Sequence, residues 1–310
     1  MNRIAYIFPG QGSQAVGMGK DLFDNFEPAR EVFQIADESL GFKISEMCFE
    51  GDESALQLTA NTQPAILTVS IAAYRAMLSE GFPKPAMAAG HSLGEYSALV
   101  AAGVLDFSEA VRIVHKRGTY MQEAVPIGKG AMAAILGSDL ETVTDACAEA
   151  AGDGVCSPAN INSPSQIVIA GDSDAIERAC GILKERGAKR TIRLNVSAPF
   201  HCALMQPAEL RLEADLLAAS YGNYQFPVVH NYTAEPGNDP SAVCNLLTRQ
   251  VTSPVRWVET IERMHREGIS KFVEVGPGKV LSGLVRQIDK DAVVFNVEDS
   301  ATIRKSLETI

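Results

Sequence analysis

The pentapeptide Gly90-His91-Ser92-Leu93-Gly94 constrains the fold of this chain more than any other stretch. A short apolar run, Ala86 to Ala89, leads straight into it, and Leu93, Tyr96, Val100 and Val104 recur after it at helical spacing. A G-x-S-x-G held between a strand and a helix is a nucleophile elbow: the sharp turn lifts the serine hydroxyl into the open, and the helix aims its amides at the same point. The glycines have a steric reason, because side chains at 90 and 94 would collide with the neighbouring strand and helix. The spacing that follows predicts one apolar helix face laid on a sheet. The alternative is a tight strand-to-helix turn in which Ser92 only caps the helix.

The rest of the chain supplies a setting for such an elbow. β-rich runs alternate with helical patterns, the mark of an α/β fold with a largely parallel sheet. A first strand is predicted over Ile4 to Phe8, ending in Pro9-Gly10-Gln11-Gly12-Ser13-Gln14, whose glycines let backbone amides come close to a ligand. Residues 52–79 read as mainly helical. Between about 125 and 198 the order changes to a strand (131–136), a helix (139–151), two strands (near 155–161 and 166–170), a helix (174–186) and a strand (190–195). That βαββαβ order is a ferredoxin-like unit. A β-rich stretch at 226–232, a helix at 255–267 and a strand at 271–275 follow. The expectation is a large α/β-hydrolase-like domain with a mostly parallel sheet over 1–124 and 199–310, and a small ferredoxin-like subdomain over 125–198 inserted in it.

A serine hydroxyl is a weak nucleophile until a base takes its proton. The histidines available are His91, His115, His201, His230 and His265. His91 adjoins the serine and is expected to point away from it, while His115 and His265 fall in helical patterns among Arg and Lys, as on solvated faces. His201 follows Ser197-Ala198-Pro199-Phe200, where the inserted unit hands the chain back, and clefts between domains commonly hold substrate. An α/β-hydrolase would place an acid between serine and histidine in chain order, but Asp106, Asp139 and Asp172 read as helix caps or surface turns. Without an acid, an amide or a backbone carbonyl would orient the imidazole of a Ser-His dyad.

Composition sets the outer limits. With 46% hydrophobic and 21% charged residues the chain is compact and globular rather than disordered. Its net charge of −11 argues against general affinity for nucleic acid, so an acidic partner would have to meet a local basic patch. Lys184, Arg186, Lys189, Arg190 and Arg193 supply five cations in ten residues. They are either a docking site or a helix end and edge strand kept soluble. The six cysteines, at 48, 147, 156, 180, 202 and 244, include no CxxC pair, which predicts reduced thiols and no zinc site. No apolar run suits a signal peptide or a membrane span, so the expected location is the cytoplasm.

Further motifs occur in order along the chain: Phe8-Pro9-Gly10-Gln11-Gly12-Ser13-Gln14, Thr62-Gln63-Pro64-Ala65, the elbow with Glu95, Arg117-Gly118, Asn160-Ile161-Asn162-Ser163-Pro164, Phe200-His201, Gln250-Val251-Thr252-Ser253-Pro254-Val255-Arg256-Trp257 and Glu274-Val275-Gly276-Pro277-Gly278. Together they resemble the malonyl-CoA:acyl carrier protein transacylases of type II fatty acid synthesis and the related acyltransferase domains of polyketide synthases. The resemblance covers essentially the whole chain. It implies that Ser92 carries a malonyl ester, that His201 is its base, and that Gln250 offers the backbone carbonyl that orients the imidazole. Gln11 and Leu93 match the positions whose backbone N–H groups face the oxyanion. Arg117 matches the arginine that holds the free malonyl carboxylate, a task suited to a planar guanidinium that donates two parallel hydrogen bonds.

Asn162 is implied to contact substrate, and Phe200 fits relatives that choose malonyl over methylmalonyl by crowding the α-carbon. Two positions depart from the family pattern: Ile161, where an aromatic is common, and Thr233, where an aspartate is common. The implied reaction is ping-pong transfer of malonyl from coenzyme A to the phosphopantetheine thiol of acyl carrier protein, by a monomer with no metal and no cofactor beyond its substrates. The carrier would dock transiently, with the basic run as the candidate surface. The rivals are a thioester hydrolase using the same elbow and a binding module without chemistry. The motifs leave fatty acid and polyketide synthesis both open.

Overall fold

In the computed structural model, which describes residues 3–196 and 198–310, the chain builds one sheet, leaves it to build a second, and returns. Ser197, in the segment ahead of His201, lies outside the described residues. Strand β1 (Arg3–Phe8) is followed by α1 (Lys20–Asn25), α2 (Glu27–Leu40), α3 (Ile44–Glu50), α4 (Glu53–Gln57), α5 (Thr59–Ser79) and β2 (Met87–Gly90). After α6 (Gly94–Ala101) and α7 (Phe107–Glu123) come β3 (Gly130–Leu136), α8 (Leu140–Ala151), β4 (Cys156–Ser163), β5 (Gln166–Asp172), α9 (Ser173–Glu185) and β6 (Arg190–Arg193). The return runs through α10 (Gln206–Ala218), β7 (Val228–Val229), β8 (Pro236–Gly237), α11 (Val243–Gln250), α12 (Trp257–Arg266), β9 (Ile269–Val275), α13 (Val280–Ile288), β10 (Val293–Val297) and α14 (Ser300–Leu307).

The larger sheet has the order β10-β9-β1-β2-β7-β8, parallel throughout except for the β7–β8 pair. Its central strands, β1 and β2, are buried on both faces, as a parallel sheet covered by helices requires. The smaller sheet, β4-β5-β3-β6, is antiparallel and packs α8 and α9 through Ile135, Val143, Ile169, Ile176 and Leu183. That is the ferredoxin-like arrangement the element order implied. Strand β4 of the smaller sheet is tied to the segment ahead of α12, where Ile161 N donates to Val255 O at 2.9 Å and Val255 N donates to Ala159 O at 2.8 Å.

Three details differ from the sequence-based expectation. Helix α6 has no single apolar face: Gly94 to Leu99 and Ala101 are all buried, and Val104 lies beyond its end, so α6 fills the interior. The stretch 226–232 keeps only two ladder residues, because Pro227 has no N–H to give and the chain turns at Ala234, φ 55°.

His115 is half-buried rather than solvated. Pro64, inside α5, has no N–H, which deprives the Ala60 carbonyl of its helical donor. His115 Nδ1, on α7, lies 2.8 Å from that oxygen and takes the place of the missing donor. The two helices joined in this way carry Gln63 and Arg117. Among the described residues no helix is long and apolar enough to cross a membrane.

Candidate active site

Ser92 stands where β2 gives way to α6, at φ 51°. A left-handed backbone at a non-glycine residue costs of order 1–3 kcal/mol and persists only where its surroundings demand it. Here they do. A Cβ at Gly90 would fall 1.8 Å from the Gly94 carbonyl carbon, and one at Gly94 would fall 2.1 Å from Phe8 O, so neither flank tolerates a side chain. Asn231, two residues past β7, clamps the turn from outside. Its Oδ1 accepts from Ser92 N at 2.7 Å and its Nδ2 donates to Gly90 O at 2.7 Å.

His201, also left-handed at φ 59°, brings Nε2 to 2.7 Å from Ser92 Oγ. Its Nδ1 lies 2.9 Å from the Gln250 carbonyl oxygen and 3.2 Å from that of Ser253. Carbonyls only accept, so Nδ1 carries the proton and Nε2 is left to accept from the serine hydroxyl. The Gln250 carbonyl is where the resemblance placed it; Ser253 is an addition. Burial, and after it the charge of Arg117, push the imidazole down to about 3, so it rests as the neutral base.

Arg117, on α7, is 1% exposed. Its Nη1 donates to Gln63 Oε1 at 2.7 Å, and its Nη2 donates to Gln250 Oε1 at 2.9 Å and to Ser92 Oγ at 3.1 Å. The guanidinium also lies over the Tyr96 ring, 5.5 Å from its centroid. A buried cation that, among the described residues, is held by neutral oxygens and a ring face is costly to keep, and a carboxylate ligand would relieve that cost.

Ser92, His201, Arg117 and Gln63 line a cavity of about 130 Å³ together with Gln11, Leu93 and Phe200. Among the described residues, the backbone N–H groups of Gln11 and Leu93 donate to no other atom, as an oxyanion site requires. Met121, Met132, Leu194 and Val196 complete an apolar wall. A second cavity of about 230 Å³ shares Gln11, His91, Asn160 and Leu194 with the first and continues past Gln166 and Val280.

Asn162, expected to contact substrate, is not among the residues that line the cavity around Ser92. Its Oδ1 holds His91 Nε2 at 2.8 Å and it lines the second cavity, whereas Asn160 lines both. His91 does turn from the serine, toward Asn162 and Trp257. Neither departing position, Ile161 or Thr233, lines the cavity around Ser92.

Sequence reasoning missed Gln63, Asn231, Ser253 and above all Glu95. The aspartates considered do cap or brace loops: Asp106 and Asp139 cap α7 and α8, and Asp172 accepts from Val155 N. A buried carboxylate close to the site is Glu95, directly after the elbow and 0% exposed. Its Oε1 lies 2.7 Å from His230 Nδ1, and its Oε2 accepts from Asn231 N at 2.9 Å and Gln250 Nε2 at 2.8 Å. It makes no hydrogen bond to His201.

Comparison with known proteins identifies the family. The acyl transferase domain family matches residues 5–303. The malonyl CoA-acyl carrier protein transacylase of Bacillus subtilis is 46% identical over 311 residues, covering 100% of this chain and 98% of the relative. An acyl carrier protein S-malonyltransferase from Vibrio cholerae, known by crystal structure, superposes with a TM-score of 0.97 at 46% identity, covering 98% of this chain and 100% of that one. A malonyl-transacylase solved in complex with its type II PKS acyl-carrier protein superposes with a TM-score of 0.97 at 44% identity, covering 100% of both chains. By the extent of these matches, the chain belongs to the acyl transferase domain family.

Proposed function

We propose that this chain transfers malonyl from malonyl-CoA to the phosphopantetheine thiol of acyl carrier protein through an ester on Ser92. The observation that carries this reading is the Arg117 guanidinium, fully buried and 3.1 Å from the nucleophile. A cation so close to the reacting oxygen favours an acyl group with a second, anionic end. Arg117 would release Ser92 Oγ on taking the malonyl carboxylate in two charge-assisted bonds, each worth roughly 1.5 to 3 kcal/mol.

Ser92 Oγ then attacks the thioester carbonyl while His201 Nε2 takes its proton. The Gln11 and Leu93 amides receive the oxyanion, and as the C–S bond breaks His201 returns the proton to the departing thiolate. In the second half the carrier's thiol gives its proton to His201 and attacks the ester, and Ser92 leaves with its proton restored. The wall formed by Phe200, Met121, Met132, Leu194 and Val196 disfavours water, which supports transfer over hydrolysis.

The carrier would dock on the insertion, which we treat as a small subdomain over 125–198 against a large catalytic domain over 1–124 and 199–310. Lys184, Arg186, Lys189, Arg190 and Arg193 are all exposed, and β6 runs on into Leu194 and Val196, which line the cavity. Two of the five are engaged: Arg186 pairs with Glu149 at 2.5 Å and Arg193 donates to Ser173 Oγ at 2.7 Å. Lys184, Lys189 and Arg190 are the cations offered to an acidic partner. The reading is of a cytoplasmic monomer.

Intact-mass measurement after mixing with malonyl-CoA tests the ester. One added malonyl group on the wild-type chain and none on Ser92→Ala is expected. No added mass, or the same mass on Ser92→Ala, would overturn the proposal.

A further inference from the structure

We infer that Glu95 is a positioning residue for acyl selection: it holds the Gln250 amide in the one orientation that presents its oxygen to Arg117. The inference rests on the reading above, in which Arg117 grips the acyl carboxylate. A glutamine side chain ends in a donor and an acceptor of nearly equal size, so its surroundings decide which end faces which way. Gln250 is 0% exposed, and its Nε2 sits between Glu95 Oε2 at 2.8 Å and the Ser92 carbonyl oxygen at 3.1 Å. Neither of those oxygens can donate. The NH₂ end is therefore committed to them, and Oε1 is left to accept from Arg117 Nη2 at 2.9 Å. Turned over, the amide would set donors against the guanidinium and an oxygen against two acceptors, all of them buried.

Glu95 is itself braced. His230 Nδ1 and Asn231 N hold its two oxygens, and the Tyr224 hydroxyl lies 3.2 Å from the far nitrogen of the His230 ring. One amide thus joins a buried anion to a buried cation that lack direct contact; burial holds the Arg117 guanidinium below its ordinary value, and Tyr96 and then Glu95 work against that. The base is spared, because Gln250 meets His201 through its backbone carbonyl and Arg117 through its side chain. Disturbing the side chain should therefore loosen the grip on the acyl carboxylate and leave proton transfer largely as it was.

The test uses Glu95→Gln, which keeps the shape but can offer an NH₂ group and so lets the Gln250 amide turn over. With the full chain, and with malonyl-CoA and acetyl-CoA as donors, kcat/KM for malonyl-CoA should fall about tenfold more than kcat/KM for acetyl-CoA, mainly through a rise in KM. The malonyl-to-acetyl ratio of kcat/KM should fall accordingly. Gln250→Leu should lower that ratio to a similar degree, and the double variant should add less than about twofold, because both changes cut the same link.

An equal fall for both donors, or full additivity, would overturn the inference. Should Glu95→Gln fail to fold, an unchanged ratio in Gln250→Leu would do so alone. A wild-type chain that takes acetyl as readily as malonyl would mark a different failure, that of the role given to Arg117.

Discussion

His201 and His230 are both buried, and each has its Nδ1 within 2.9 Å of an oxygen, yet they differ in what that oxygen is. His201 faces carbonyl dipoles at Gln250 and Ser253, while His230 faces the carboxylate of Glu95. A carbonyl steadies an imidazolium less than a full negative charge does, so a carbonyl-held histidine gives a proton back readily. That suits the role proposed for His201, which would take a proton and return it twice per cycle with an activated thioester as substrate. The carboxylate that a hydrolase would set behind its histidine is present in this molecule, but it acts on the scaffold. Through Asn231 it braces the Ser92 turn, and through Gln250 it reaches Arg117.

The sharpest way to break this comparison is to remove each histidine in turn. His201→Ala, like Ser92→Ala, should lower malonyl transfer by about 10⁴-fold or more, with little further loss in the double variant, since the two act as one unit. If His230→Leu caused a loss of that size in a chain of unchanged stability, the two roles would be misassigned. Arg117→Ala comes next: about 10²-fold or more off malonyl kcat/KM and less than about tenfold off acetyl transfer. Equal losses for the two donors would leave Arg117 with no part in selection. His230→Leu itself should lower unfolding stability by about 2–3 kcal/mol in urea titration, because Glu95 loses a buried donor. Its turnover per folded molecule should stay within about tenfold.

The same contrast separates what could be read from the sequence from what could not. The elbow was legible because its constraint is steric and local: five consecutive residues turn so sharply that positions 90 and 94 have no room for a Cβ. The inserted βαββαβ unit was legible because short strands and amphipathic helices carry their periodicity on their surface. Glu95 directly follows the elbow, but no local pattern gives it a task. A charged residue on a helix with one apolar face would be solvated, and α6 has no solvated face of that kind.

The partners of Glu95 lie 135 to 155 positions away, at His230, Asn231 and Gln250, and no local pattern announces them. The place of Asn162 was hidden for another reason. Residues 160 and 162 alternate onto one side of an ideal strand, but β4 shifts register between Pro158 and Asn160 and again between Ile161 and Ser163. Spacing alone therefore does not say which asparagine lines the cavity around Ser92.

The smallest expected effect is also the most specific to the way His201 is held. A histidine with the ordinary value of 6.5 would lose about 25-fold of its neutral form between pH 7 and pH 5. Burial and Arg117 hold His201 at about 3, so the base of the free enzyme stays neutral over that whole range. The sign follows directly: a lowered value moves the acid limb of kcat/KM to lower pH, and malonyl kcat/KM should change less than about twofold between pH 7 and pH 5. Once the malonyl carboxylate pairs with Arg117, part of the charge that opposes the imidazolium is cancelled, so kcat should bend at a higher pH than kcat/KM does. Acetyl-CoA brings no such charge, and with it the two limbs should lie closer together. Rapid-quench acylation of Ser92 from both donors across this range measures the difference. An acid limb near 6.5 in kcat/KM would mean that His201 is not held by burial and Arg117 in this way.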